Sequence, residues 1–190
     1  MANIILASGS PRRRELLKMI VPEFTIASGK DVDETYPGDL PAEEVPVYLS
    51  QIKAEPYAVE LTDGDVLITA DTVVIVDNDI LGKPHDRDQA IAMLRRMQNR
   101  THVVVTGVTL TTTAGSKSFS QRTEVDFDKL SDAEIEYYID NYKPYDKAGA
   151  YGIQEWIGAA AIIGIRGSFY NVMGLPVHAL YLQLKDICEI

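Results

Sequence analysis

The amino-acid sequence predicts an α/β fold, and three observations support that prediction. A short apolar run at residues 4–7 leads through a tight turn into a helix that starts at Pro11. Apolar or β-rich runs recur at 66–76, 103–112 and 116–127. Segments with helix start signals separate the first three of these runs, and strands that alternate with helices are typical of α/β domains.

The first helix begins with a pattern that favours an anion. Pro11 suits the first helical position, because its missing N–H would have no acceptor there, and Ser10 can cap the free amides. These amides and the helix dipole attract negative charge, and arginines bind phosphate oxygens bidentately. Successive helical residues are about 100° apart, so we expect Arg12 and Arg13 to face phosphate and Arg14 to face solvent. The alternative is an amphipathic helix with all three arginines in solvent.

The following segments predict a short strand, a loop and a second helix. Residues 24–27 alternate between apolar and polar side chains as a strand does. Residues 29–38 are mostly polar and contain glycine and proline, which is typical of a loop. A helix is expected within 41–61, where Pro46 limits its start and Pro56 kinks or ends it. Its expected buried stripe comprises Val45, Leu49 and Ile52.

An aspartate between two apolar runs is the strongest carboxylate candidate. Residues 66–70 predict a buried strand that leads to Asp71 and Thr72, and 73–76 predict a second strand. A carboxylate is costly to bury without a partner, so we expect a metal, a cation or a hydrogen-bond donor to meet Asp71. The alternative is a turn aspartate that caps a loop.

The second half of the chain predicts further helices and strands. The expected elements are a turn at 77–79 with a short return strand, a helix from Asp86 to Gln98, a hairpin joined at 114–115, a helix opened by a capping box at 131–134, a strand at 159–165 and a last helix from Val177. The small residues of 146–154 allow a ligand to approach the backbone.

Composition limits the class of protein. The 190 residues are enough for one compact domain, 1–190, with room for two lobes. The net charge of −10 argues against a nonspecific nucleic-acid surface. The single cysteine favours a reduced, cytoplasmic location, and no apolar run approaches the length of a membrane span. His85, His102 and His178 lack the spacing of metal ligands.

Five motifs resemble those of the Maf family of nucleoside triphosphate pyrophosphatases, in the family's order and spacing. They are SGSPRRRELL, ITADTVV, LGKP, DKAGAYGIQ and GSFYNVMGLP. A sixth segment, 49–54, is similar to the family's lysine helix, with Ser50 where alanine is usual. The resemblance covers nearly the whole chain. It implies an α/β fold with a long mixed sheet flanked by helices, two lobes with a cleft between them, and a homodimer.

The resemblance also implies a reaction and the residues that perform it. A nucleoside triphosphate would be hydrolysed between its α and β phosphates with a divalent cation, magnesium or manganese. The implied phosphate-binding residues are Ser8, Ser10, Arg12, Arg13, Lys53 and Lys83. Oxygen ligands suit such cations, and we expect Glu34 and Asp71 to hold the metal. Asp71 matches the family's proton acceptor, and the sequence leaves open whether it is base, metal ligand or both.

Substrate choice is predicted by three residues. Arg13, Thr72 and Gln154 resemble the subgroup that takes dTTP and UTP. A uracil or thymine edge offers acceptor, donor and acceptor, and one glutamine amide can meet two adjacent groups, so Gln154 is expected to read the base. The alternative is that Gln154 satisfies loop backbone. Two other functions stay open: the same chemistry on a modified purine triphosphate such as 7-methyl-GTP, or a nucleotide-binding regulator of cell division with little turnover.

Overall fold

The computed structural model describes residues 2–188, which contain one mixed seven-stranded sheet. Its strands are β1 (Asn3–Leu6), β2 (Thr25–Ile26), β3 (Asp65–Val76), β4 (Asp79–Leu81), β5 (Arg100–Thr112), β6 (Gly115–Phe127) and β7 (Ile162–Arg166). The strand order is β2-β1-β3-β5-β6-β7, and β4 pairs with β3. Strand β1 runs parallel to β2 and β3, whereas β4 and β7 run antiparallel to their neighbours. The predicted mixed α/β fold is confirmed.

Three of the helices in residues 2–188 begin at start signals that were predicted from the sequence. The helices are α1 (Pro11–Lys18), α2 (Val45–Ala58), α3 (Arg87–Met97), α4 (Asp132–Tyr142), α5 (Trp156–Ala161), α6 (Phe169–Met173) and α7 (Val177–Ile187), with 3-10 turns at Pro144–Asp146 and Ala148–Ala150. The Ser10 and Asp86 side chains cap α1 and α3. The capping box of Ser131 and Glu134 opens α4. These local predictions are therefore confirmed.

The chain divides into two compact units. Within the described residues, the first comprises 2–72, 106–121 and 174–188, and the second comprises 73–105 and 122–173. The core of the first unit includes the almost fully buried Leu6, Leu16, Leu17, Leu67 and Ile68. The core of the second includes Leu94, Met97, Phe127, Ile135 and Tyr138. Each unit thus has apolar residues of its own to stabilise it.

Three predicted elements differ from the structure. The two strands expected around Asp71 are one continuous strand, β3, because sheet hydrogen bonds override the low strand propensity of aspartate. The strand expected at 159–165 begins only at Ile162, because α5 extends to Ala161. On α2, Val45 and Leu49 are buried but Ile52 is half-buried, and the helix instead buries Ser50 and Ala54.

Helix α2 approaches strand β5 at a glycine. A Cβ atom added to Gly107 would lie 2.3 Å from Pro46 C and 2.3 Å from Val47 N. Only a residue without a side chain fits where two backbones come this close. The buried Ser50 hydroxyl adds two hydrogen bonds to this contact. It donates to Val47 O at 2.7 Å within α2, and it lies 2.7 Å from Thr109 Oγ1 on β5. The start of α2 is therefore held against β5.

Among residues 2–188, no helix combines the length and the apolar character that crossing a bilayer requires.

The second unit buries a histidine, His102. His102 is 1% exposed, and its Nε2 lies 2.7 Å from the Tyr151 hydroxyl. The other ring nitrogen, Nδ1, has no hydrogen-bond partner within the described part of the chain. Desolvation by burial lowers the pKa of His102 to about 4, and the charge of Asp126 raises it in part. His102 is therefore neutral in the folded protein near pH 7.

We expect the folded protein to lose stability as the pH falls from 6.5 toward 4. In this interval an unfolded histidine takes up a proton that folded His102 resists, so the unfolded state binds more protons. The loss is about 3 kcal/mol over the full interval, at 1.36 kcal/mol for each unit of pKa. Urea unfolding at closely spaced pH values measures it.

The matched variants are His102→Gln and His178→Gln. His178 is exposed, so its replacement is expected to leave the pH dependence unchanged, whereas His102→Gln removes most of it. The free energy of unfolding of wild-type protein staying flat between pH 6.5 and 4.5 would contradict a buried neutral His102.

Candidate active site

The site of the first unit lies where strand β3 changes neighbour. Strand β1 pairs with β3 as far as Ile68, and β4 pairs with it only from Val74 onward. Asp71 lies between these points, with its side chain 14% exposed. On one edge of β3, Asp71 therefore lies between the stretch that pairs with β1 and the stretch that pairs with β4.

Helix α2 supplies the cation that meets Asp71. The Lys53 ammonium donates to Asp71 Oδ1 at 2.6 Å and lies 3.0 Å from Glu34 Oε2. The Lys53 side chain is 20% exposed, whereas Glu34, on the loop before α2, is 55% exposed. Attraction between partly buried opposite charges is stronger than on the open surface. The predicted partner for Asp71 is therefore present, and it is a lysine.

The two carboxylates fit a divalent cation of the magnesium type. Mg²⁺ takes oxygen ligands and is commonly held by one or two carboxylates, with water and substrate phosphates completing its shell. Glu34 and Asp71 both contact the Lys53 ammonium, so the two carboxylates meet at one positive charge. Residues 2–188 contain no cluster of three acidic, histidine or cysteine ligands. That Glu34 and Asp71 hold a metal stays a prediction.

Arg13 binds the residues on both sides of Asp71, through the backbone of Ala70 and the hydroxyl of Thr72. Its Nε donates to Gly174 O at 2.8 Å, its Nη1 to Ala70 O at 2.9 Å and its Nη2 to Thr72 Oγ1 at 3.1 Å. Burial lowers the pKa of Arg13, and the charge of Asp71 raises it in part. Three of the five guanidinium donors are thus engaged by protein acceptors. That Arg13 also binds phosphate stays a prediction.

The start of α1 is ordered by its two serines. Ser8 Oγ accepts from Ser10 N at 3.2 Å, and Ser10 Oγ accepts from Arg13 N at 3.4 Å. Arg12 is half-buried and Arg14 is exposed, as expected from their positions on the helix. The turn and the helix start therefore have the form expected of an anion site, and phosphate binding there stays a prediction.

Two predicted site residues, Lys83 and Gln154, belong to the second unit. Lys83 follows β4 and is exposed, and Gln154 is exposed on the loop between the 3-10 turn at Ala148–Ala150 and α5. Their roles in phosphate and base binding stay predictions. Arg95 and Arg96, which lie on α3, form ion pairs with Asp132 and Asp79.

A polar cluster beside Gln154 was not predicted. Lys147 Nζ lies 2.9 Å from Asp146 Oδ1 and 3.1 Å from Glu155 Oε1. The Tyr138 hydroxyl donates to Glu155 Oε2 and accepts from Gly152 N at 2.9 Å. The available signal was the motif at 146–154, which places Lys147 and Gln154 in one short segment. The tyrosine comes from another element, and no local pattern indicated it.

Fold and site define a class: an α/β protein in which a sheet carboxylate, a helical lysine and an acidic loop residue form one charged cluster. The particular family follows from comparison. Residues 3–187 match the family model described as Maf-like protein, and the chain belongs to the Maf family.

Individual relatives are similar over nearly their whole length. A protein of Porphyromonas gingivalis named dTTP/UTP pyrophosphatase is 54% identical over 98% of this chain and 94% of its own. A protein of Bacteroides thetaiotaomicron with the same name is 51% identical over 97% of this chain and 95% of its own length. The solved structure of a HAM1 protein from Coxiella burnetii aligns with a TM-score of 0.55 at 12% identity, over 98% of this chain and 100% of that one. This last likeness shows the fold.

Proposed function

We propose that this chain hydrolyses dTTP and UTP to the nucleoside monophosphate and pyrophosphate. The observation that carries the proposal is that Asp71 and Glu34 both contact Lys53, and that Arg13 binds Ala70, the residue before Asp71. Relatives at 51% and 54% identity are named for this activity. Phosphoryl transfer needs positioning and charge neutralisation, and this cluster is suited to both.

Each site residue has a proposed part in the reaction. Lys53, Arg12 and Arg13, with the α1 start at Ser8 and Ser10, bind phosphate oxygens in the first unit. Lys83 is proposed to bind phosphate and Gln154 to read the base. Because Lys53 pairs with Asp71 at 2.6 Å, its ammonium holds that carboxylate in place to accept the proton of the attacking water.

Magnesium or manganese is the proposed cofactor. Glu34 and Asp71 would hold it, and when bound it neutralises phosphate charge and makes water more acidic. Asp71 is then metal ligand, proton acceptor or both. The proposal also includes a single catalytic domain over 1–190, a cytoplasmic location, in keeping with Cys188 as a free thiol, and a homodimer, as the family resemblance implied.

A triphosphate panel tests the proposed function. We expect pyrophosphate release with magnesium or manganese, with kcat/KM for dTTP and UTP at least about tenfold above that for CTP, ITP and 7-methyl-GTP, the size of one discriminating hydrogen bond. Highest kcat/KM for a modified purine would keep the chemistry and overturn the pyrimidine assignment. Tight UTP binding without product would instead favour the nucleotide-binding regulator.

A further inference from the structure

The polar cluster beside Gln154 joins the two ends of one loop, residues 147–155, which includes the 3-10 turn at Ala148–Ala150. Lys147 lies at the start of the loop and Glu155 at its end, and their charged atoms lie 3.1 Å apart. Both side chains are largely buried, at 10% and 18% exposure. An ion pair at this depth is held in one geometry more firmly than a surface pair. The segment between the two residues is therefore closed by a charged contact.

Tyr138 fixes the same loop from outside it. This residue is fully buried on α4, and its hydroxyl meets both the Glu155 carboxylate and the Gly152 amide. Burial and the bond to Glu155 raise the pKa of Tyr138, so the hydroxyl stays a proton donor. Glu155 consequently has a partner for each oxygen: Tyr138 for one and Lys147 for the other.

The Gln154 side chain lies against this cluster. A Cβ atom added to Gly152 would lie 3.0 Å from Lys147 Cε, 3.0 Å from Glu155 Cδ and 3.1 Å from Gln154 Nε2. The three side chains thus crowd one glycine, which leaves them the space that a methyl group would fill. The amide of Gln154 therefore lies at the same glycine as the Lys147 and Glu155 side chains.

We propose that Tyr138, Glu155 and Lys147 are positioning residues that orient Gln154 for selection of uracil or thymine over cytosine; this rests on the proposed base-reading function of Gln154. A glutamine amide has one donor end and one acceptor end, so it discriminates between bases only when held in one orientation. Cytosine carries an amino donor where uracil and thymine carry a carbonyl acceptor. An ordered loop also reduces the entropy lost when the base binds.

The test measures binding of two non-hydrolysable nucleotides, α,β-imido-UTP and α,β-imido-CTP, by calorimetry in magnesium buffer. Tyr138→Phe removes only the hydroxyl, and we expect about a tenfold higher Kd for the uracil analogue with little change for the cytosine analogue. Tyr137→Phe is the matched control, because Tyr137 lies on the same helix, is 48% exposed and is outside the cluster. Glu155→Gln supplies a second variant if Tyr138→Phe does not fold.

A double-mutant cycle with Gln154→Ala separates positioning from general destabilisation. If Tyr138 acts through Gln154, adding Tyr138→Phe to Gln154→Ala changes neither Kd further. Equal weakening of both analogues, additive effects, or no effect of Gln154→Ala on the uracil analogue would each overturn the inference. Failure of the wild type to release pyrophosphate while it still prefers the uracil analogue would refute the proposed hydrolysis and leave this inference standing.

Discussion

Asp71→Asn is expected to lower kcat for UTP hydrolysis by about a thousandfold, within the range of positioned proton acceptors. The substitution keeps the shape of the side chain but removes the charge that binds Lys53 at 2.6 Å. It removes at once the proposed proton acceptor and one of the two proposed oxygen ligands for the cation. Pyrophosphate release under saturating UTP, with KM fitted separately, measures the loss.

Asp88→Asn is a suitable control for Asp71→Asn. Asp88 is exposed in the first turn of α3, so the same chemical change there is expected to leave kcat unaltered. Circular dichroism and thermal unfolding of both variants establish that Asp71→Asn is folded. A kcat for Asp71→Asn within about threefold of the wild type, far short of the usual contribution of a general base, would remove this residue from the mechanism.

Gly107→Ala is expected to lower the free energy of unfolding by about 3 kcal/mol or more. Its added Cβ would lie 2.3 to 2.4 Å from backbone atoms of Pro46 and Val47, and backbone cannot move aside as a side chain can. For a chain of this length such a loss lowers Tm by about 10 °C. Because α2 also carries Lys53, we expect kcat for UTP to fall as well when the helix start is displaced.

The control for Gly107→Ala is Gly38→Ala, which adds the same methyl group in open space. Gly38 is exposed, and a Cβ atom there would have no neighbour within 4 Å. Scanning calorimetry of the two variants should show a large decrease in Tm for the first and almost none for the second. If the two Tm values coincided, α2 would not pack on β5 at backbone distance.

Features that depend on a few neighbouring residues were predictable. The N-caps of α1 and α3, the capping box of α4 and the turn before β4 each need only residues within four positions of one another. The break predicted inside β3 was wrong for the opposite reason. The local propensity of Asp71 argues against a strand, but hydrogen bonds to neighbouring strands stabilise the extended backbone there.

The candidate site was predictable in its residue types and less so in their partners. The isolated position of Asp71 indicated that some cation or donor must meet it, because a buried carboxylate needs one. That Lys53 is this partner was not predicted: the family resemblance implied only that Lys53 binds phosphate, and a helical lysine by itself is usually a solvent residue. The polar cluster beside Gln154 was missed because Tyr138 comes from a helix and Lys147 and Glu155 from a loop, and no sequence periodicity connects the two elements.

The sequence by itself determined the α/β class, the capped starts of α1, α3 and α4 and the family, since these depend on short-range spacing and on motifs read in order. Only the tertiary structure decided what Arg13 does. Its three acceptors lie 57, 59 and 161 positions away along the chain. A guanidinium group donates to whichever carbonyl and hydroxyl groups the fold brings within about 3 Å, and that proximity is a property of the packed chain rather than of any local pattern.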